Sequence, residues 1–347
     1  MAALTIKDIA KICGVGISTV SRAINDDPRI NKDTRDRILK VIEEYHYVPN
    51  NSARNLKMSE SNTIALLMKG IDNQFFQGML KIFEEELKKL EYSFLIHALG
   101  EDQDDASVAV ALAKEKRLKG IIFLGGVLDC SEEILKTMGI PYVLCTVPFN
   151  REKPRKNCSA VSIDDEKESY RAVEYLIKKG HRRVAIITAR ECDYSVGKKR
   201  LDGYKKALKD YGIEYDPQLV RFMRKDIPEY TVANGYAVTK ELLASGADFT
   251  ALFTISDLTA FGAYKAISEA GKKIPEDYSV VGFDGLEMTN YFIPTLTTMK
   301  QPCEALVKSS ITLLMEAIHG EGEGKQLIFD AKMIERESVR ELKSYRY

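Results

Sequence analysis

From Ile64 onward the sequence repeats one texture, a short apolar run followed by an amphipathic stretch long enough for a helix. "TIALLM" precedes "FFQGMLKIFEEELKKLEY", "FLIHAL" precedes "SVAVALAKEKRL", and "GIIFLGG" precedes "SEEILKTM". "PYVLCTV" and "AVSID" follow, and "KESYRAVEYLIKKG" closes this series. A second series starts at "RVAIITA" and runs through "RLDGYKKALKDYG", "LVRFM", "VANGYAVTKELLASG", "ALFTIS" and "LTAFGAYKAISEAG" to "SVVGFD". Alternating strand and helix units build parallel sheets covered by helices on both faces. Two such series in succession predict two α/β lobes. No GxGxxG or GxxxxGK[ST] follows any of the first strands, so dinucleotide and P-loop readings lack their phosphate cradle.

At 347 residues the chain is too long for one ordinary core, and two or three domains are expected. Its 45% hydrophobic and 29% charged residues place it among soluble globular proteins. It has no run of about 18 apolar residues, so no membrane span is expected. The start, "MAALTIKDIAKIC", puts Lys7, Asp8 and Lys11 where a signal peptide needs its apolar stretch. Export is not expected, and the cytoplasm, with association to the nucleoid, is the expected compartment. Cys13, Cys130, Cys145, Cys158, Cys192 and Cys303 form no CxxC pair and have no nearby His. Buried free thiols are expected, with no metal site and no cofactor.

Residues 1–46 read as three short helices. Thr5 can cap the first, with Asp8 three residues on to meet the freed amides. Ile6, Ile9, Ala10 and Cys13 fall at helical spacing before Gly14 breaks the run. Residues 17–24 form the second helix. Asn31 or Asp33 starts the third, whose Ile38, Val41, Ile42 and Tyr45 follow an i, i+3, i+4, i+7 pattern. Each helix is too short to stand alone in water, so the three must pack together. Ala10 is small where two helices cross, Gly14 suits a positive φ in the turn, and Ile9, Val15 and Val20 point to a shared core. This is a helix-turn-helix, whose second helix enters the major groove of DNA. Ser18, Thr19 and Ser21 are mediocre helix formers but suit phosphate oxygens and base edges, and Arg22 can read a guanine bidentately. Net charge is zero overall, yet residues 1–58 hold ten Lys/Arg against seven Asp/Glu, a local excess of three.

"YVPNNSARNLKMSESNT" has no long apolar stripe, and Pro49 stops any preceding helix. It reads as a linker in which "SARNLK" could form one or two helical turns.

"TIKDIAKICGVGISTVSRAIN" followed by "TRDRILKVIEEYHYVPNNSARNLK" closely resembles the LacI/GalR family of bacterial transcriptional repressors. Gly16 departs from the family, which usually has a capping Ser there; Gly is itself tolerated at N-caps, so the expected cost is small. The resemblance implies that Ile17 and Ser18 choose operator bases, that Arg22 is a third reader, and that Thr5, Thr19, Ser21 and Asn25 also touch DNA. It further implies that "SARNLK" is a hinge helix that folds only on DNA, in the minor groove. There Leu56 wedges into the central step of a palindrome, with Ala53 and Asn50 alongside. The alternative is a solvated linker in which Leu56 is incidental.

The resemblance continues to the end of the chain through "DNQFF", "VSIDD", "KGHRRVAII", "RLDGY", "ISDLTAFGA", "SVVGFDG" and "PTLTTMKQP". It implies a small all-α helix-turn-helix domain (1–46), a linker with a hinge helix (47–62) and a two-lobed periplasmic-binding-protein-like α/β domain with parallel sheets (63–347). Lobe 1 would comprise about 63–163 and 298–325, and lobe 2 about 164–295 and 326–347. The chain would cross between lobes near Asp164, between Asp284 and Thr297, and near 325–330. The lobes would close over a small ligand at the C-terminal ends of their strands. Arg200 and Asp284 match positions holding polar groups of the ligand, as do Asp164 and Gln301. Phe76 and Tyr230 fall where aromatic rings pack on a ligand face, with Asp72 beside Phe76. Two readings stay open at several positions. Phe76 is core or ligand contact, and Arg200 with Asp284 is a ligand clamp or an interlobe salt bridge. Asp257, after Ser256 where many members have Asn, is a helix N-terminal or a ligand carboxylate. His181 is expected at the surface or a strand edge.

An aromatic platform with carboxylates, Arg and amide groups is chemistry suited to a sugar. The function implied is a repressor that binds a pseudo-palindromic double-stranded operator as a homodimer, under control of a sugar-like effector, with no membrane partner. The alternative is a sugar-binding protein or transport component, which needs an export signal and has no use for a helix-turn-helix. No Ser/His/Asp triad or close carboxylate dyad emerges among the sequence motifs, so an enzyme is not expected. The tail "IERESVRELKSYRY" is too short and too charged for a tetramer-forming heptad, so a dimer is expected.

Overall fold

The computed structural model describes residues 4–24, 27–45, 47, 61–100, 103–126, 132–147, 158–189, 195–321 and 324–342. The chain divides into two compact units, Met1–Ser61 and Asn62–Tyr347.

The first unit holds α1 (Ile6–Cys13), α2 (Ile17–Ile24) and α3 (Lys32–Glu44). The Thr5 amide donates to Asp8 Oδ2 at 2.8 Å, so the side chain three residues on covers the exposed N-terminus of α1. Gly14 ends α1 at φ 62°, a conformation costly for any residue with a Cβ, and lets the Val15 amide return to the Ala10 carbonyl at 3.0 Å. Asn31 starts α3, accepting from the Asp33 amide. Ile9, Ala10, Cys13, Val20, Ala23, Ile38 and Tyr47 make the core, with Val15, Val41 and Ile42 half-buried against it. Tyr45 differs from the expected pattern and is exposed. The helix stops at Glu44, so the 3.6-residue spacing no longer applies. The Tyr47 amide turns back onto the Ile42 carbonyl, and it is Tyr47 that enters the core.

The second unit contains twelve described strands: β1 (Thr63–Lys69), β2 (Ser93–Leu99), β3 (Gly120–Leu124), β4 (Tyr142–Cys145), β5 (Ser159–Ile163), β6 (Val184–Thr188), β7 (Val220–Phe222), β8 (Ala251–Thr254), β9 (Ser279–Asp284), β10 (Thr297–Lys300), β11 (Gln326–Phe329) and β12 (Lys332–Ile334). They form two six-stranded sheets, ordered β11-β5-β4-β3-β1-β2 and β12-β10-β9-β8-β6-β7. All described pairings are parallel except β10 with β12. The continuous burial of "IALLM" follows from this. Ile64, Leu66 and Met68 enter the core on one face of the first sheet, while Ala65 and Leu67 enter the core on the other.

The chain crosses from the first lobe to the second after β5, back after β10, and again between β11 and β12. The lobe boundaries expected at 298 and 326 are therefore corrected. β10 pairs with β9, Thr297 opposite Val281, and so stays in lobe 2; the crossing comes at Gln301–Cys303 rather than between Asp284 and Thr297. β11 pairs with β5, Gln326 opposite Ala160, and stays in lobe 1. A short apolar strand satisfies the edge of either sheet equally well, so hydropathy does not say which sheet it joins. The helix Cys303–Ile318 returns to lobe 1, burying Leu306, Val307, Ile311 and Leu314 with Phe83, Val143 and Val161.

His181 is corrected too. It is fully buried, with Nδ1 2.9 Å from Thr250 Oγ1 and Nε2 3.2 Å from the Arg340 carbonyl. Burial pushes its pKa down to about 4, so the ring is neutral, donates from Nε2 to the carbonyl and accepts at Nδ1. Cys13, Cys145 and Cys158 are buried free thiols and Cys303 is a half-buried one; Cys130 and Cys192 lie outside the described residues. Among the described residues no helix is long and apolar enough to cross a membrane.

Candidate functional site

The second helix of the first unit divides its residues by face. Val20 and Ala23 are buried, whereas Ile17, Ser18 and Arg22 are exposed and Thr19 and Ser21 are half-exposed. An exposed Ile at the first turn of a short helix gains nothing from folding and needs another surface to bury against. Gly16 accepts the Thr19 and Val20 amides through its carbonyl, so the first turn closes without a capping side chain. Thr5 is exposed at the start of α1. Asn25, Asn50, Ala53 and Leu56 lie outside the described residues.

In the second unit a cavity of about 470 Å³ opens between the lobes at the C-terminal ends of their strands. Its charged floor belongs to lobe 2. Arg200, in the helix Val196–Asp210, donates from Nε to Asp165 Oδ1 at 2.9 Å and from Nη1 to the Ile255 carbonyl at 2.5 Å. Its guanidinium carbon sits 3.7 Å from the centre of the Phe283 ring, an attractive contact for a desolvated cation. Asp284, at the end of β9, lies 3.9 Å from Arg200 Nη1 and accepts from Gln301 Nε2 at 2.8 Å. Arg200 and Asp284 are thus both in lobe 2, which rules out an interlobe salt bridge. Burial pushes the Asp284 carboxyl up, to about 7, against the opposing pull of Arg200 and Gln301. Burial likewise raises Asp165 despite Arg200. Burial also works against the Arg200 charge, but Asp165 and Asp284 outweigh it and hold the guanidinium protonated.

Lobe 1 supplies Phe76, Asp72, Asn73, Lys69 and Thr146; Tyr230 of lobe 2 lies across from them among the lining residues. Phe76 fits both open readings, since its ring is packed in the lobe 1 core and also lines the cavity. Gly125 makes room for it: a Cβ there would stand 2.5 Å from Phe76 Cζ, and the backbone is at φ 71°. Lys69 Nζ lies 3.4 Å from Asp105 Oδ1. Three of the five described non-glycine residues with positive φ line this cavity: Thr146 at 57°, Tyr230 at 54° and Asp284 at 120°. Backbone held off its favoured region costs about 1–3 kcal/mol per residue and gathers where side-chain aim matters.

Arg200, Asp284, Gln301, Phe76, Tyr230 and Asp72 are therefore brought to one cavity, and Asp164 and Asp257 are not. Asp164 caps the helix Asp165–Lys178, accepting from the Lys167 amide, and the next residue faces the cleft in its place. Asp257 is fully buried behind the cleft. It accepts from the Gly285 and Leu286 amides at 2.7 and 2.8 Å and from Thr298 Oγ1 at 2.6 Å. With both oxygens engaged, it braces the loop after Asp284, and Ser256 caps the helix that carries it. Of its two readings, helix terminus or ligand contact, the geometry selects the first.

Sequence reasoning missed Asp165 and Thr146. The signal for Asp165 was in "SIDD", where the second acid follows the capping one into the first helical turn. Nothing in the sequence marked Thr146. Its Oγ1 is buried without a hydrogen-bond partner, the one such atom found among the described lining residues.

A helix-turn-helix joined in one chain to a two-lobed domain with a polar, aromatic-lined cleft defines the class: a ligand-responsive DNA-binding regulator. Residues 5–50 match the family model for bacterial regulatory proteins of the lacI family, and residues 173–339 match the periplasmic binding protein-like domain. The chain is 37% identical to the HTH-type transcriptional regulator MalR of Clostridium butyricum, over 96% of this chain and 99% of that one. It is 32% identical to the HTH-type transcriptional repressor CytR of Escherichia coli, over 98% and 97% respectively. Among solved structures, a complex of the transcriptional regulator CelR with cellobiose matches with a TM-score of 0.69 at 28% identity, covering 96% of this chain and 99% of that one. The chain belongs to the LacI family of bacterial transcriptional regulators.

Proposed function

We propose that this regulator represses transcription from a pseudo-palindromic operator, binds it as a homodimer, and is switched by a small saccharide held between its lobes. The observation that carries the saccharide is the convergence of Arg200, Asp165, Asp284 and Gln301 with the Phe76 and Tyr230 rings on one cavity. Sugars present a C–H face that stacks on aromatic rings and a rim of hydroxyls that bond to charged and amide groups. The CelR structure, which holds cellobiose, supports the same class of ligand.

On DNA, Ile17, Ser18 and Arg22 read bases, Ile17 through apolar contact such as a thymine methyl. Thr5, Thr19, Ser21 and Asn25 hold the backbone, and Asn50, Ala53 and Leu56 act in the minor groove. One short recognition helix contacts too few bases alone, which favours two copies on two half-sites. The dimer reading is further supported by Met288, Tyr291 and Ile293, which are 48%, 69% and 95% exposed, and by β2, an edge strand among the described residues that carries the exposed Ile96. The saccharide acts by binding one degree of lobe closure more tightly than another, so operator affinity shifts by that difference. Regulation in the cytoplasm without catalysis accords with the transcriptional role of the relatives.

The test is selection of the operator from random duplexes, then titration of the complex with saccharides. A sugar should change operator affinity in the native protein and have no effect on Asp284→Asn. A variant that responds normally removes the cleft from the mechanism.

A further inference from the structure

We infer that the cleft takes a neutral saccharide of two rings, one against Phe76 in lobe 1 and the other beside Tyr230 in lobe 2, an inference that rests on the saccharide reading above. Size comes first. At the packing density of a protein interior, one hexose with its hydroxyls fills roughly 200 Å³ and two roughly 400 Å³. The cavity of about 470 Å³ has room for two rings.

Recognition chemistry is present on both sides of the cleft. Both lobes contribute aromatic rings to the lining, Phe75 and Phe76 from the helix Gln74–Lys89 and Tyr230 from the segment after β7. Each lobe also contributes its own polar groups, Asp72 and Thr146 on one side and Asp165 and Asp284 on the other. A single ring can stack a face on each lobe's aromatic side, but its one rim of hydroxyls meets only one of the two polar sets well. Two linked rings meet both, and by bridging the lobes they favour closure in a way a ligand confined to one lobe does not.

Charge argues for neutrality. Among the described lining residues the two cations are engaged by carboxylates, Arg200 by Asp165 at 2.9 Å and Lys69 by Asp105 at 3.4 Å. Asp72, Asp165, Glu229 and Asp284 line the same space. A phosphate or carboxylate on the ligand would be desolvated next to these acids and would have to displace one of them to reach a cation. Hydroxyls have no such conflict, because they donate to carboxylates and accept from the guanidinium.

Calorimetric titration of the full chain with maltose, cellobiose, lactose, sucrose and trehalose, with glucose, and with glucose 6-phosphate and maltose 6′-phosphate tests this. At least one neutral disaccharide should bind at least tenfold tighter than glucose, and each phosphate ester at least tenfold weaker than its parent. Glucose binding as tightly as the best disaccharide, or an ester binding as tightly as its parent, overturns the inference and leaves the saccharide reading standing. Binding by none of these sugars overturns both. Asp105→Asn adds a readout a structural role would not give. By releasing Lys69 it should raise affinity for maltose 6′-phosphate at least fivefold, and an unchanged affinity there counts against the charge argument.

Discussion

Arg200 meets Asp165 at 2.9 Å with both side chains buried, and the two reach each other from the N-terminal halves of neighbouring helices, Val196–Asp210 and Asp165–Lys178. The pair ties the ligand-facing ends of two lobe 2 helices together beneath the cleft. A ligand hydroxyl bonded to either member therefore acts on both helices, and one of them begins where the chain leaves lobe 1. Because each charge depends on the other, neither is replaceable alone. Losing one partner of a buried pair costs about 3–5 kcal/mol, since the other is left uncompensated. The cleft is best probed through neighbours whose loss leaves this pair intact.

Thr146→Val is such a probe. The side chain keeps its shape and loses a hydroxyl that is buried and unbonded. Removing an unsatisfied polar group stabilises the unliganded protein by about 1 kcal/mol, while losing its bond to the ligand costs the complex a similar amount. The expected result is a higher Tm with severalfold weaker saccharide binding. A lower Tm would show that the hydroxyl is already satisfied within the protein.

Gly125→Ala addresses the aromatic platform. The added Cβ would meet Phe76 Cζ at 2.5 Å, on a backbone at φ 71° where an L side chain costs about 1–2 kcal/mol. Phe76 must move. Saccharide affinity should fall at least tenfold by calorimetry while operator binding without sugar, measured by anisotropy, is retained. Equal losses in both would assign Phe76 to lobe stability alone.

Two buried groups give the stability of the second unit a pH dependence of opposite sign. Asp284 has its pKa raised by burial to about 7, so its contribution is complete below the ordinary carboxylate pKa and is lost as pH rises from about 4 through 7. His181 has its pKa lowered by burial to about 4, so its contribution is complete above about 6.5 and is lost as pH falls through 4. Asp284→Asn should make stability rise more steeply with pH between 4 and 7, and His181→Asn should make it fall there. Urea denaturation across that range reads both slopes. Unchanged slopes in the variants would mean that the folded and unfolded states titrate alike.

Arg22→Ala tests the DNA face. The exposed guanidinium contributes about 1–3 kcal/mol of discrimination if it reads a guanine bidentately. The variant should lose base preference at one symmetric pair of operator positions in a selection from random duplexes. Uniform weakening without change in the selected sequence would make Arg22 a phosphate contact.

The local elements were legible in the sequence because they rest on neighbours in the chain. Thr5 and Asp8 cap α1, Gly14 ends it, and the period of Ile9, Cys13, Val20 and Ile38 selects the faces that pack. The alternation from Ile64 onward likewise shows in two parallel sheets. Arg200, Asp284, Gln301, Phe76, Tyr230 and Asp72 were legible as a set only through the family resemblance; no spacing links residues separated by more than two hundred positions.

What the sequence by itself determined was the kind of pieces: three short helices with an exposed reading face, and two α/β series whose strand ends can face one another. Periodicity and capping act over a few residues, and the chain carries that information in order. Only the tertiary structure decided which sheet β10 and β11 join, that Asp165 rather than Asp164 faces the cleft, and that Asp257 is consumed by the Gly285 and Leu286 amides. Those outcomes depend on which donors and strand edges meet through space, and two adjacent aspartates differ in nothing but the direction in which the first turn of a helix aims them.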